Sequence, residues 1–216
     1  SWEKLIQKGH LPSTDTYVNE PPDAFVQMPP TQTNKIERLR YMTEPLAEDT
    51  LVAGPISLTL HASIDEADTN WIVILKDVGP DVSIQTARPG EREVPHDLPE
   101  RELTRGWLKA SYRAVDPERS KPGRPWHYLS KERIQPVVPG EVVEYQIEIL
   151  STANMFKAGH RICLEITSLD LAEGVAGETF AEYIAPHVCS SKTVLHKVFH
   201  NAEHPSQLLL PVIPLG

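Results

Sequence analysis

Phe156-Lys-Ala-Gly-His-Arg-Ile-Cys-Leu-Glu-Ile-Thr-Ser168 reads as a turn followed by a strand. Gly159 supplies the turn. After it, Ile162, Leu164 and Ile166 point one way, and Arg161, Glu165 and Thr167 the other. Side chains on a strand alternate with period two, so the stretch predicts an antiparallel strand buried on one face. Similar alternation recurs in both directions along the chain. Val143, Tyr145, Ile147 and Ile149 oppose Glu144, Gln146 and Glu148 after the Pro139-Gly140 turn. Ile56, Leu58, Leu60, Ala62 and Ile64 oppose Ser57, Thr59, His61 and Ser63 after Gly54-Pro55. Leu108, Ala110 and Tyr112 share one face of a strand over 106–113. Residues 71–75 are apolar throughout, which predicts a central strand covered on both faces.

Weaker strand signals lie at 35–42, 82–86 and 193–199. The terminal stretch 208–215 contains Pro211 and Pro214 and is at best an edge. Short strands between turn signals, without βα alternation, predict an all-β, jelly-roll-like sandwich with long loops. Residues 1–34 hold Pro12, Pro21, Pro22, Pro29 and Pro30, which oppose a sustained helix or central strand. They read as an irregular arm ahead of a sandwich at 35–216. The chain starts at Ser1 and not Met, so the expectation is a fragment whose preceding context is missing.

Composition narrows the function classes. A hydrophobic share of 40% with 24% charged residues fits a folded globular chain. A net charge of −9 without clustered Lys and Arg argues against nucleic acid. No apolar run reaches the roughly 20 residues of a membrane-spanning helix. Cys163 and Cys189 are the two cysteines, too few for a disulfide framework. Buried free thiols and a cytoplasmic location are expected.

Several constellations invite a functional reading. His196, His200 and His204 lie four apart, which on a helix would present imidazoles to zinc. On a strand that spacing is about 13 Å, too far for one metal. Asp65, Glu66 and Asp68 form an acidic loop with oxygen donors suited to calcium, yet lack an EF-hand pattern. His187 and Cys189 lack an orienting partner for thiol catalysis. No metal and no cofactor are therefore expected. Trp71 belongs to an apolar run and reads as core. Trp107, with Trp126, His127 and Tyr128, is the candidate for an exposed aromatic patch.

Four segments in order carry a family resemblance. They are Tyr41-Met-Thr-Glu-Pro-Leu-Ala-Glu-Asp-Thr-Leu-Val-Ala-Gly-Pro55, Asp68-Thr-Asn-Trp-Ile-Val-Ile-Leu-Lys-Asp-Val78, Gly106-Trp-Leu-Lys-Ala-Ser-Tyr-Arg113, and the run from Pro139-Gly140 to Ser168. A closing stretch, His200-Asn-Ala-Glu-His-Pro-Ser-Gln-Leu-Leu-Leu-Pro-Val-Ile-Pro214, is similar to the terminus of larger members. The set resembles the C-terminal non-catalytic domain of X-Pro dipeptidyl-peptidase and cocaine-esterase-like (CocE/NonD) serine hydrolases. Asn70 departs from that family's second Asp, and residues 82–104 are longer than in its compact members.

The resemblance implies a galactose-binding-like sandwich with the chemistry elsewhere. It implies that residues 1–34 link to an α/β-hydrolase domain carrying a Ser-His-Asp triad. The nucleophile elbow of such a domain needs Gly-x-Ser-x-Gly, which this sequence lacks. No catalytic residue is assigned here. The expected role is an accessory domain that packs on the hydrolase domain and shapes its cleft, Trp107, Trp126, His127 and Tyr128 being available for that contact. A free-standing carbohydrate- or ligand-binding sandwich is the alternative, and a homo-oligomerising module a third class.

Overall fold

The computed structural model describes residues 21–29, 32–33, 35–79, 100–169 and 191–215. The strand expected over 82–86, and His187 with Cys189, lie outside them. The described residues form ten strands: β1 Asp23–Gln27, β2 Arg38–Met42, β3 Thr50–Ile64, β4 Asn70–Val78, β5 Glu100–Lys109, β6 Val143–Phe156, β7 Arg161–Thr167, β8 Val194–Phe199, β9 Gln207–Leu209 and β10 Val212–Ile213. Two single 3₁₀ turns, Ala110–Tyr112 and Lys131–Arg133, are the helical elements among the described residues.

Every strand pairing is antiparallel, in the order β1-β8-β3-β6-β5-β4-β7-β2, with β9 and β10 added on β3. Split at the β5–β6 junction, the order gives the two four-stranded layers of a jelly roll, β1-β8-β3-β6 and β5-β4-β7-β2. Alternate residues of both layers meet in one core. Ile56, Leu58, Leu60, Tyr145, Ile147, Ile149, Trp71, Val73, Leu75, Ile162, Leu164 and Ile166 all belong to it. At β5–β6 the ladder is reduced to the single pair Gly106↔Ile149. A Cβ on Gly106 would lie 2.2 Å from the Glu148 carbonyl oxygen, so only glycine permits this approach.

The outermost strands are fastened to each other by side chains. Gln27, at the end of β1, is buried and works as a backbone substitute. Its Nε2 donates to the carbonyls of Met28 (2.8 Å) and Lys35 (3.1 Å), while its Oε1 accepts from Glu37 N–H (2.9 Å). At the other end, Tyr41 of β2 donates its hydroxyl proton to Asp23 of β1 at 2.8 Å. His200 Nε2 stands 3.1 Å from the same carboxylate. Burial and the Asp23 charge both push the Tyr41 pKa upward, so the phenol stays a donor.

Several expectations are corrected. β1, Asp23–Gln27, lies inside the stretch read as an irregular arm. Pro21-Pro22 and Pro29-Pro30 bracket β1, and a terminal strand tolerates such neighbours. β5 starts at Glu100, in what reads as a charged connection, and a bulge at Leu75/Lys76 shifts its register. The strand over 106–113 ends at Lys109, where the 3₁₀ turn takes Tyr112 out of the alternation.

The largest correction concerns β7, the strand expected to be half-buried. Cys163, Glu165 and Thr167 point away from the core cluster, yet are as buried as Ile162 and Leu164. Glu165 meets three cations there: Lys76 Nζ at 3.0 Å, Arg40 Nε at 3.1 Å and Arg38 Nη1 at 3.2 Å. Glu100 joins this network through Arg40 and Lys76. Burial alone would raise the Glu100 pKa, but the two cations outweigh it and hold it low.

Candidate functional site

Residues 114–128 fold back on themselves after β5 and cross the outer face of the β5–β6 junction. Asp116 N–H donates to the Trp126 carbonyl at 2.7 Å, and Tyr128 N–H to that of Ala114 at 3.1 Å. Ser120 Oγ donates to the Asp116 carbonyl (2.6 Å) and accepts from Trp126 N–H (2.9 Å). His127 Nε2 lies 2.9 Å from the Gln146 carbonyl, which pins the loop to β6. Gly123, at φ 74°, packs against Pro55, where a side chain would collide with backbone.

This scaffold makes a groove of about 690 Å³. Trp107 on β5 and Leu150 on β6 form its floor, and Trp126, His127, Tyr128 and Leu129 one wall. The four residues singled out from the sequence, Trp107, Trp126, His127 and Tyr128, therefore line one concavity. Trp126 is 48% exposed, Leu150 56% and Leu129 72%. Leu129 also adopts φ 50°, left-handed backbone that disfavours a side chain by about 1 kcal/mol. Its strained placement holds a bare leucine at the lip. Leu150 continues the outward series Glu144, Gln146, Glu148 and so was legible by alternation, whereas nothing around Leu129 marks it as exposed.

The histidine trio is dispersed. His196 is fully buried between the layers, with Nε2 at 2.8 Å from Thr69 Oγ1. Its ring stacks on Phe25 at 4.4 Å and meets Trp71 edge-on at 5.2 Å. His200 goes to Asp23, and His204 packs on Phe199 and His61. Burial pulls the His196 pKa from 6.5 down to about 4, the Asp65 charge offsetting part of the effect. Between those values the unfolded chain binds a proton that the native chain refuses. Stability from this residue is complete above pH 6.5 and declines as pH falls toward 4. Between pH 6.5 and 5 the expected loss is about 2 kcal/mol. Urea midpoints at the two pH values, compared with His196→Asn, measure it; an equal loss in the variant would refute the assignment.

The acidic loop is consumed by its own fold. Asp65 Oδ1 accepts from Leu195 N–H at 2.8 Å, Glu66 pairs with Lys192 at 2.6 Å, and Asp68 accepts from Ser111 N–H and Oγ–H. Cys163 is a free thiol. Burial raises its pKa against the pull of Arg40, which keeps it protonated and unreactive.

One pairing escapes the sequence altogether. His160 Nδ1 lies 2.7 Å from the buried Asp77 carboxylate, which also accepts from Asn154 at 3.3 Å. A histidine held by an aspartate supplies two of the three members of a hydrolytic triad. Among the described residues no hydroxyl or thiol hydrogen-bonds the ring, so the pair serves to tie the end of β4 to the β6–β7 turn.

Comparison with known families matches residues 4–209 to the X-Pro dipeptidyl-peptidase C-terminal non-catalytic domain. The chain belongs to that family. Among similar sequences, a predicted serine esterase of Mycobacterium bovis is 29% identical over 176 residues, covering 81% of this chain and 24% of the esterase. The cocaine esterase of a Rhodococcus species is 26% identical over 179 residues, with coverage of 81% and 25%. Among solved structures, a CocE/NonD family hydrolase from Staphylococcus aureus superposes with TM-score 0.62 at 21% identity. The match covers 89% of this chain and 33% of that one. The chain thus spans about a quarter of the length of the sequence relatives it matches. It is a non-catalytic C-terminal domain of the kind found in these longer hydrolases, and the missing elbow and the inert His160–Asp77 pair accord with that place.

Proposed function

We propose that this domain packs on the α/β-hydrolase portion of a longer serine hydrolase of the ester or X-Pro dipeptidyl class. In this reading the groove at Trp107, Trp126, His127 and Tyr128 is the docking surface, and the docked domain helps shape the active-site cleft. The observation that carries the reading is the exposure of Trp126, Leu129 and Leu150 together around one groove. A strained leucine at its lip is retained where the surrounding structure has a use for it.

The test supplies the hydrolase portion in trans. A one-to-one complex is expected in sedimentation. Leu129→Ser with Leu150→Ser should weaken it at least about tenfold while moving domain stability by only about 0.5 kcal/mol per site. Absence of a complex, or indifference to both changes, sinks the reading. The chain alone is expected to turn over neither a chromogenic ester nor an aminoacyl-proline substrate. A glycan-binding reading rests on the same aromatics, and calorimetry against a neutral glycan panel separates it from docking.

A further inference from the structure

Cations on the described part of this chain are mostly matched to carboxylates. Arg113, Arg119, Lys121, Lys131, Arg133 and Lys197 are the described Lys and Arg residues without such a partner. All but Lys197 fall between residues 113 and 133. That segment holds six Lys and Arg against three Asp and Glu, in a chain of net charge −9. It is the segment that walls the groove.

Two of these cations are stacked on the groove's aromatics. The Arg119 guanidinium lies 4.0 Å from the centre of the Trp126 ring, and that of Arg133 4.6 Å from the centre of Tyr128. Stacking fixes the planar group while leaving its edge N–H donors free for a carboxylate. It also covers aromatic faces that a neutral sugar would need. The site therefore combines apolar surface at Leu129 and Leu150 with two oriented, unmatched positive charges. Charge-assisted, bidentate pairing suits carboxylates at these two points.

We propose that the groove seats an acidic peptide segment bearing an apolar anchor, supplied by the hydrolase portion. The source of the segment rests on the docking reading above. The anchor contacts Trp126 and Leu150, and carboxylates on either side meet Arg119 and Arg133. Phosphate-rich nucleic acid is disfavoured by the acidic remainder of the chain.

The experiment measures binding of the full chain to immobilised short peptides. These share fixed Leu, Pro and Trp content, and their net charge is stepped from acidic to basic. Retention should follow negative charge, fall with added salt, and drop about tenfold in Arg119→Glu/Arg133→Glu. Both arginines are exposed, and circular dichroism checks that the variant folds. Arg119→Lys/Arg133→Lys keeps charge but loses stacking and should retain part of the binding. Retention without charge order, retention unchanged by charge reversal, or capture of uronic-acid oligosaccharides in place of peptides overturns the proposal. If peptides fail while the hydrolase portion still binds through Leu129 and Leu150, this inference falls and docking stands. If peptides bind but the hydrolase portion does not, docking falls and the segment has another source, which overturns the proposal as stated.

Discussion

Glu165→Ala is expected to cost about 3 kcal/mol of folding free energy, because it leaves Lys76, largely buried, and the part-exposed Arg38 and Arg40 without their shared anion. Glu165 is 1% exposed and holds Arg38, Arg40 and Lys76 within 3.2 Å. Water cannot replace its carboxylate without opening that face of β7. Glu100 remains, but it reaches only Arg40 and Lys76. The pairs need not make the fold more stable than an apolar substitute would; the penalty comes from breaking them one-sidedly. Replacing Glu165, Arg38 and Lys76 together by methionine should therefore recover much of the loss. Chemical denaturation reads both variants. A change below about 1 kcal/mol for Glu165→Ala would show that solvent satisfies the three cations once the carboxylate is gone.

Gly106→Ala is the second large effect, with an expected cost of about 3 kcal/mol. The added Cβ would meet the Glu148 carbonyl oxygen at 2.2 Å and the Ile149 Cα at 3.0 Å. Both are backbone atoms of β6, so no side-chain rotation relieves the clash. β5 has to withdraw at its single paired contact with β6. Gly140→Ala is the control, since a Cβ there meets nothing within 4 Å and suffers only its φ of 84°. Its expected cost is about 1 kcal/mol. Gly106→Ala should also blue- or red-shift tryptophan fluorescence, because Trp107 and Leu150 form the groove floor beside the joint. Equal costs at the two glycines would mean that the layers can part at no penalty.

The sandwich is legible in the sequence wherever one strand face is core and the other is not. β3, β6 and the inward side of β7 announce themselves by alternation, and Trp71 by its apolar neighbours. Legibility fails where polar residues are buried against one another. Glu165 looks like a solvent-facing residue because its partners lie on β2 and β4, far away in the chain. β1 hides between proline pairs, and the start of β5 among charges. The groove was half visible: Trp107, Trp126, His127 and Tyr128 stand out as aromatics beside loops. The unmatched Arg119 and Arg133 do not, since a stacked guanidinium and a paired one have the same sequence. The histidine trio misleads because the spacing of four has meaning only on a helix.

The side-chain clasp between β1 and β2 bears on how this domain meets other proteins. An open sheet lends its unpaired backbone to any extended chain that arrives, with little regard for sequence. Gln27 takes up the Lys35 carbonyl and the Glu37 N–H, main-chain groups at the entry to β2 where such a visitor would seek a foothold, and the Tyr41 hydroxyl ties β2 to Asp23. Recognition is thereby shifted from main chain to side chain. A neighbour must match the shape and charge of a particular surface, and generic strand exchange between copies is discouraged at that seam.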